Sequence, residues 1–119
     1  KKMKHLIFVI FVLFLSAITN AQDMTLLHIN SKWNSSNDYP HLKQLKGVEI
    51  LKVKLEDQPP SIKNQIKSVP TIILYDNKTQ RPKGQWAADL SFKLNVDPNE
   101  IQEYINRYKM QVSRRSSTN

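Results

Sequence analysis

The most informative part of the sequence is the segment Ile66-Lys67-Ser68-Val69-Pro70-Thr71-Ile72-Ile73-Leu74-Tyr75-Asp76. It contains β-branched residues from Thr71 onward and the aromatic Tyr75, and both residue types favour strands. Because the apolar run is unbroken, we expect a strand that is buried on both faces. Pro70 has no N–H to donate, so it belongs at the first residue of this strand and not in its middle. The segment therefore predicts a central strand over residues 70–75.

Other patterned segments lie on both sides of this strand and predict the rest of the domain. In chain order they are a strand at 24–30, a helix at 41–46, a strand at 48–55, a helix at 61–67, the central strand, an antiparallel strand at 85–88 and a helix at 98–112. Gly47 marks the end of the first helix, while Pro82 and Gly84 are expected to make the approach to the last strand irregular. This order predicts an α/β fold with a mixed four-stranded sheet, β-α-β-α-β-β-α, and helices on both faces.

The last helix has the clearest start signal. Asp97-Pro98-Asn99-Glu100 places a capping residue before a proline at the first helical position and a glutamate at the third. The residues expected on one apolar face of this helix are Ile101, Tyr104, Ile105, Tyr108 and Val112. Residues 113–119 are polar and are predicted to form a disordered tail.

Residues 1–22 have the pattern of a secretory signal peptide. Three lysines precede an apolar stretch over residues 6–15, and cleavage is expected after Ala21. An uncleaved membrane anchor is the alternative, although the stretch is shorter than the roughly 20 residues that a bilayer core requires. The short, lysine-led signal is typical of bacteria and predicts a periplasmic or secreted protein without membrane contact after cleavage.

Charge and cysteine content exclude several classes of function. The net charge is +8, and removal of the signal leaves 15 basic against 10 acidic residues. This mild excess is not accompanied by a basic stripe with interleaved aromatic residues, so we do not expect a nucleic-acid partner. The chain contains no cysteine, which excludes a lipid-modified cysteine and any disulfide, so stability must come from one hydrophobic core.

The proline segment resembles a known family. The pattern Ile66-x-Ser68-Val69-Pro70-Thr71, followed by an apolar strand, is similar to the cis-proline segment of the thioredoxin-like superfamily. The predicted element order also matches that family with its optional first strand missing, and the resemblance covers about residues 24–112. It implies one thioredoxin-like domain over residues 23–112.

The resemblance also locates the family's redox motif. There, the first strand leads to Trp-Cys-Gly-Pro-Cys at the start of a helix, where a low thiol pKa permits disulfide exchange. Trp33-Asn34-Ser35-Ser36-Asn37 falls at this motif, with Asn34 and Asn37 at the two cysteine positions. An amide cannot become a thiolate, so the resemblance implies a redox-inactive domain.

Other candidates for chemistry give weaker expectations. The resemblance aligns His28 with a buried acidic residue that assists proton transfer, and Lys52 with a buried lysine beside it. From the residues alone, His28 is either a packed strand residue with one hydrogen bond or a group that transfers protons. His28, His41 and Asp38 match no zinc-ligand spacing, so we expect no metal and no other cofactor. Ser35 or Ser36 with His41 and an aspartate is a combination that most chains of this length contain.

The resemblance also implies a peptide-binding groove, which needs no thiol. In the family, the residue before the cis-proline pairs its backbone with an extended peptide, and the motif tryptophan flanks that groove. The corresponding groove residues in this sequence are Trp33, Ser35, Ser36, Val69 and Pro70, with Val69 supplying the backbone contact. Two of them have structural alternatives, since Trp33 could cap the strand end and Pro70 could shape the scaffold.

Three functions remain open at this point. The leading hypothesis is an exported, redox-inactive thioredoxin-like domain that binds a protein or peptide partner through the groove. The second is a cysteine-free enzyme that uses His28 or the loop 34–37. The third is a structural subunit of an exported or surface assembly, whose exposed apolar patch would lie on a helix face and not at the groove.

Overall fold

A computed structural model describes residues 23–118, and the predicted signal peptide lies outside the described residues. The chain forms four strands: β1 (Met24–Asn30), β2 (Glu49–Lys54), β3 (Thr71–Asp76) and β4 (Arg81–Ala87). It also forms two α-helices, α1 (Pro60–Lys63) and α2 (Pro98–Thr118), and three 3-10 helices at Lys32–Asn37, Leu42–Gln44 and Leu55–Asp57. Within the described part of the chain, no helix is long and apolar enough to cross a membrane.

The four strands form one mixed sheet in the order β2-β1-β3-β4. β1 is parallel to β2 and antiparallel to β3, and β4 is antiparallel to β3. All six residues of β3 are buried, which confirms the predicted central strand. The α/β class and the mixed four-stranded sheet were therefore predicted correctly, because β-branched and aromatic residues favour a pleated, buried surface.

Each face of the sheet carries its own part of the core. One face packs against α2 and the 3-10 helix Leu42–Gln44, through side chains that include Leu26, Ile72, Leu42 and Ile105. The opposite face contains Leu27, Ile29, Ile73 and Tyr75, covered by Leu55 and Ile66 on either side of α1. Helical segments thus cover both faces, but the second cover is thin.

The predicted cap of the last helix is confirmed. The Asn99 N–H donates to the Asp97 carboxylate at 2.9 Å, and Ile101, Ile105 and Val112 are buried. The helix is assigned to Thr118, and so extends into residues 113–119, for which a disordered tail was predicted. No proline or glycine interrupts residues 113–118, so nothing in the sequence ends the helix there.

The two short helices are also shorter than predicted. The expected helix at 41–46 is reduced to the 3-10 helix Leu42–Gln44, and the one at 61–67 is reduced to α1. Asn, Ser and Asp side chains between β1 and β2 favour turns over helix, because they hydrogen-bond the nearby backbone. The parallel β1–β2 pair is consequently joined through 3-10 helices and without an α-helix.

The irregular start of β4 is confirmed. The β3–β4 register shifts between Leu74 and Tyr75, where Gly84 and Pro82 lie opposite them. A Cβ on Gly84 would lie 2.9 Å from the Trp86 ring, so glycine lets this ring lie close to the strand.

Candidate functional site

Three segments meet at one end of the sheet, which we call the site end. β1 finishes there at Asn30, β3 begins there after Pro70, and β4 finishes there at Ala87, since Ile29 pairs with Thr71 and Thr71 pairs with Ala87. The 3-10 helix Lys32–Asn37 follows β1 directly. The sheet topology therefore brings together the two segments that the resemblance assigned to one groove.

The side chain of Asn34 is the centre of this arrangement. Its Nδ2 lies 3.0 Å from Asn30 Oδ1, 3.1 Å from the Phe92 carbonyl oxygen and 3.3 Å from the Val69 carbonyl oxygen. Its Oδ1 accepts a hydrogen bond of 2.7 Å from Asn37 Nδ2. Asn34 is only 3% exposed. Asn34, which the resemblance aligns with the first cysteine of the redox motif, thus links three separate segments through hydrogen bonds.

Asn30 supports Asn34 from the end of β1, and the sequence had not singled it out. Asn30 is buried, and its Nδ2 donates to the Asn34 carbonyl oxygen at 2.9 Å and to Asp38 Oδ1 at 2.7 Å. Its Oδ1 also accepts from the Ser31 N–H at 2.9 Å. A buried amide must have such partners, because an unsatisfied polar group inside a protein is costly.

The Val69–Pro70 peptide bond is cis. Val69 is buried, and its N–H donates no hydrogen bond to any residue within 23–118. The Pro70 carbonyl oxygen accepts from the Ala88 N–H at 3.0 Å. One backbone donor therefore remains open at the edge where the resemblance places the peptide contact.

Residues 88–97, which we call the cover segment, connect β4 to α2 across the site end. Leu94 packs into the core, and the Tyr39 hydroxyl donates to the Val96 carbonyl oxygen at 2.7 Å. Burial, and secondarily the charges of Asp97 and Glu100, raises the pKa of Tyr39 to about 12, so this hydroxyl keeps its proton. Together with the Asn34–Phe92 hydrogen bond, these contacts hold the segment in place.

Large apolar side chains are exposed at the site end. Trp33 is 65% exposed, Phe92 43% and Leu90 97%. The Trp33 and Phe92 rings meet edge to face, with centroids 5.0 Å apart. The predicted groove residues Ser35 and Ser36 are exposed beside Trp33. Sequence reasoning missed Leu90 and Phe92, although hydrophobic residues in a long loop were an available signal.

His28 is a packed strand residue with one hydrogen bond, which is the first of the two interpretations that the sequence left open. Its Nε2 accepts from the Tyr39 N–H at 3.1 Å, so the proton of the neutral ring lies on Nδ1. Nδ1 has no hydrogen-bond partner within the described residues. Burial lowers the pKa of His28, the Asp38 charge partly opposes this, and the Lys52 charge adds to the lowering. This histidine is therefore neutral near pH 7.

Lys52 is not the buried lysine that the resemblance implied. It lies opposite His28 in the β1–β2 register, but its side chain is exposed because β2 is an edge strand. Its Nζ lies 3.1 Å from Asp38 Oδ2. Burial raises the pKa of Asp38, but hydrogen bonds from Asn30 and Lys52 together with the charges of Lys52 and His28 outweigh it, so the net pKa is lowered. The pair anchors the loop after β1 to β2.

The weaker chemical candidates do not assemble. Within the described residues, no group of three or more histidine, aspartate or glutamate side chains is placed to hold a metal ion. The His41 ring forms a 2.8 Å hydrogen bond with Gln44, its neighbour in the next turn. None of the contacts of His41 within the described residues orients its ring toward Ser35 or Ser36, so it is not placed to act as their base.

The state of His28 predicts how stability depends on pH. The folded protein holds its pKa below the ordinary value of 6.5, whereas unfolding restores that value. The unfolded chain then binds more protons, so the free energy of unfolding should fall as the pH decreases below 6.5. Urea unfolding, followed by tryptophan fluorescence at a series of pH values, measures this decrease.

Two variants assign the decrease to His28. His28→Leu should remove the dependence below pH 6.5, and His41→Gln should retain it. Asp38 also makes the free energy of unfolding fall as the pH decreases, but only near and below its ordinary pKa of 3.8. The pH ranges in which His28 and Asp38 act are therefore distinct. An unchanged dependence in His28→Leu would contradict the assignment.

Comparison with known proteins adds no family assignment. No protein-family model matches the sequence, and no curated protein is significantly similar to it. A function for this chain must therefore be inferred from the geometry of the site end.

Proposed function

We propose that this chain is a thioredoxin-like domain without redox chemistry that acts, after export, as a protein- or peptide-binding module. The sheet order β2-β1-β3-β4, the cis Val69–Pro70 bond before β3 and the exposed Trp33 after β1 support this proposal. The chain has no cysteine, so its function cannot be thiol–disulfide exchange.

The observation that carries the proposal is the position of the exposed apolar side chains. Four large hydrophobic residues are exposed among those described, and three of them, Trp33, Leu90 and Phe92, belong to segments at the site end. Of these four residues, Met110 alone lies on an α-helix. Large aromatic side chains stay exposed at a cost, and grouped ones are typical of binding sites. This distribution favours the groove over a helical face, and so favours the binding module over the structural subunit.

The backbone at Val69 sets how a peptide would be bound. Its N–H is open, but its carbonyl oxygen already accepts from Asn34 at 3.3 Å. The N–H of Val69 would therefore bond a peptide without competition, whereas its carbonyl oxygen would share a peptide donor with Asn34, so the pair of bonds usual in strand addition is weakened. Side-chain contacts with Trp33 and Phe92 must then supply most of the affinity.

The enzyme hypothesis finds less support. A general base needs a pKa near the working pH and access to substrate. His28 is buried and its pKa is lowered, and the amides of Asn34 and Asn37 are bonded to each other. These groups stabilise the fold of the loop and do not form a reactive pocket.

Replacement of Trp33 by alanine should weaken partner binding about tenfold or more, because exposed tryptophans at binding sites often contribute most of the affinity. The free energy of unfolding should change by about 1 kcal/mol or less, since the lost contact is a single aromatic pair with Phe92. A photoreactive amino acid at Ser35, in cells that export the protein, measures binding as the yield of a discrete adduct.

Two controls separate binding from folding. The photoreactive group at the exposed helix residue Glu103 should give no such adduct, and Met110→Ala should leave the Ser35 adduct unchanged. An adduct at Glu103 alone, or an effect of Trp33→Ala confined to stability, would refute the proposed binding site.

A further inference from the structure

The acidic and basic side chains at the site end differ in whether they have bonding partners within the chain. The carboxylates there accept hydrogen bonds from their own chain: Asp38 from Asn30, Asp89 from Ser91, Asp97 from Asn99 and Glu56 from the Lys32 N–H. These carboxylates therefore all have hydrogen-bond donors within the chain, and the charge of Asp38 is also paired with that of Lys52.

Two lysines at the same end are not engaged. Lys67 and Lys93 are exposed, and neither takes part in an ion pair or a side-chain hydrogen bond within the described residues. Lys93 directly follows Phe92, and Lys67 precedes Val69 by two positions. Asn34 Nδ2 contacts the carbonyl oxygens of both Phe92 and Val69, so each lysine lies within two positions of a backbone group that Asn34 contacts.

From this arrangement we infer that the partner segment is acidic and contains a large apolar side chain. The inference rests on the proposed function and specifies its ligand. An apolar anchor would pack on Trp33 and Phe92, while carboxylates on both sides of it would face Lys67 and Lys93. A basic segment would meet the like charges of Lys67 and Lys93, neither of which has an ion-pair partner within the described residues, and like-charge contacts of this kind disfavour a wrong partner.

The backbone at Val69 favours an extended segment over a compact one. The Val69 N–H, two positions after Lys67, has no acceptor within the described residues and would bond one backbone carbonyl of a peptide. In an extended peptide, side chains two positions apart point to the same face, so acidic residues two positions before and after an apolar residue face the same surface as that residue. The expected ligand is therefore a short extended stretch in which acidic residues lie two positions before and two positions after an apolar residue.

The test uses three fluorescein-labelled peptides of equal length and the chain from residue 23 to its end. One peptide has a phenylalanine with a glutamate two positions before and two positions after it, one has lysines in place of the glutamates, and one has serine in place of the phenylalanine. The glutamate–phenylalanine peptide should bind about fivefold tighter or more than either of the others, measured by fluorescence anisotropy.

Charge variants localise the effect. Lys67→Glu combined with Lys93→Glu should remove or reverse the preference for the acidic peptide. Lys78→Glu combined with Arg81→Glu makes the same change of charge at the opposite end of the sheet, where β3 finishes and β4 begins, and should retain the preference. Raising the salt concentration should reduce the difference between peptides, because exposed charges are screened.

The outcomes distinguish this inference from the proposed function. Equal binding of both phenylalanine peptides, lost in Trp33→Ala, would refute the acidic ligand and keep the binding module. Equal binding of the two glutamate peptides would refute the apolar anchor. Binding of no peptide, together with no adduct at Ser35, would refute the proposed function itself.

Discussion

Replacement of Asn34 by alanine should lower the free energy of unfolding by about 2–4 kcal/mol, as expected when a buried polar group leaves several partners unsatisfied. The side-chain amide of Asn34 forms hydrogen bonds with the side chains of Asn30 and Asn37 and with the carbonyl oxygens of Val69 and Phe92. Its removal opens a cavity and breaks the link between three chain segments. Urea unfolding of the wild type and the variant measures the difference.

Two further variants make this prediction specific. Ser36→Ala, in the same loop but exposed, should leave stability nearly unchanged. Asn34→Asp keeps the shape but removes the donor, and it places a carboxylate against two carbonyl oxygens. It should be at least as destabilising as alanine at neutral pH and less so in acid. If Asn34→Ala unfolds at the urea concentration of the wild type, the hydrogen bonds of Asn34 do not stabilise the fold.

Replacement of Leu94 by alanine should cost about 2–3 kcal/mol, the lower part of the range for a buried leucine, because Leu94 packs at the rim of the core. The same change at Leu90, four residues earlier in the cover segment and 97% exposed, should leave the free energy of unfolding unchanged. The two variants delete the same atoms from the same segment, so burial is the variable that differs.

The pair also tests which leucine serves binding. Leu90→Ala should weaken binding of the glutamate–phenylalanine peptide without loss of stability. Leu94→Ala, examined well below its unfolding temperature, should loosen the cover segment that carries Phe92 and Lys93. Similar stability losses in both variants would mean that Leu90 is packed in solution, contrary to its exposure here.

On the proposed thioredoxin-like assignment, the two asparagines convert a redox site into a structural one. A thiolate at position 34 would need a polarising helix end and access to substrate, and here the 3-10 helix is short and the residue is buried. The amide instead satisfies carbonyl oxygens of the proline and cover segments. The surface beside it, with Trp33, keeps the exposure that binding requires.

Local sequence patterns determined most of the secondary structure. The β-branched run after Pro70, the predicted strand at 24–30 and the cap at Asp97 each act over a few neighbouring residues, so backbone preference and apolar periodicity sufficed. The same logic failed for the short helices at 41–46 and 61–67. A few apolar residues with helical spacing also suit 3-10 turns, and short helices depend on packing more than on propensity.

The site end was decided by the tertiary structure. Val69 and Phe92 lie 35 and 58 positions after Asn34. The resemblance had assigned the segments of Asn34 and Val69 to one groove, but no local pattern indicated that Phe92 joins them. The exposure of Leu90 against the burial of Leu94, and the unpaired lysines at 67 and 93, likewise depend on where the cover segment lies. Strand identity follows from the residues themselves, whereas the groove follows from long-range contacts, which form only when the chain has folded around its central strand.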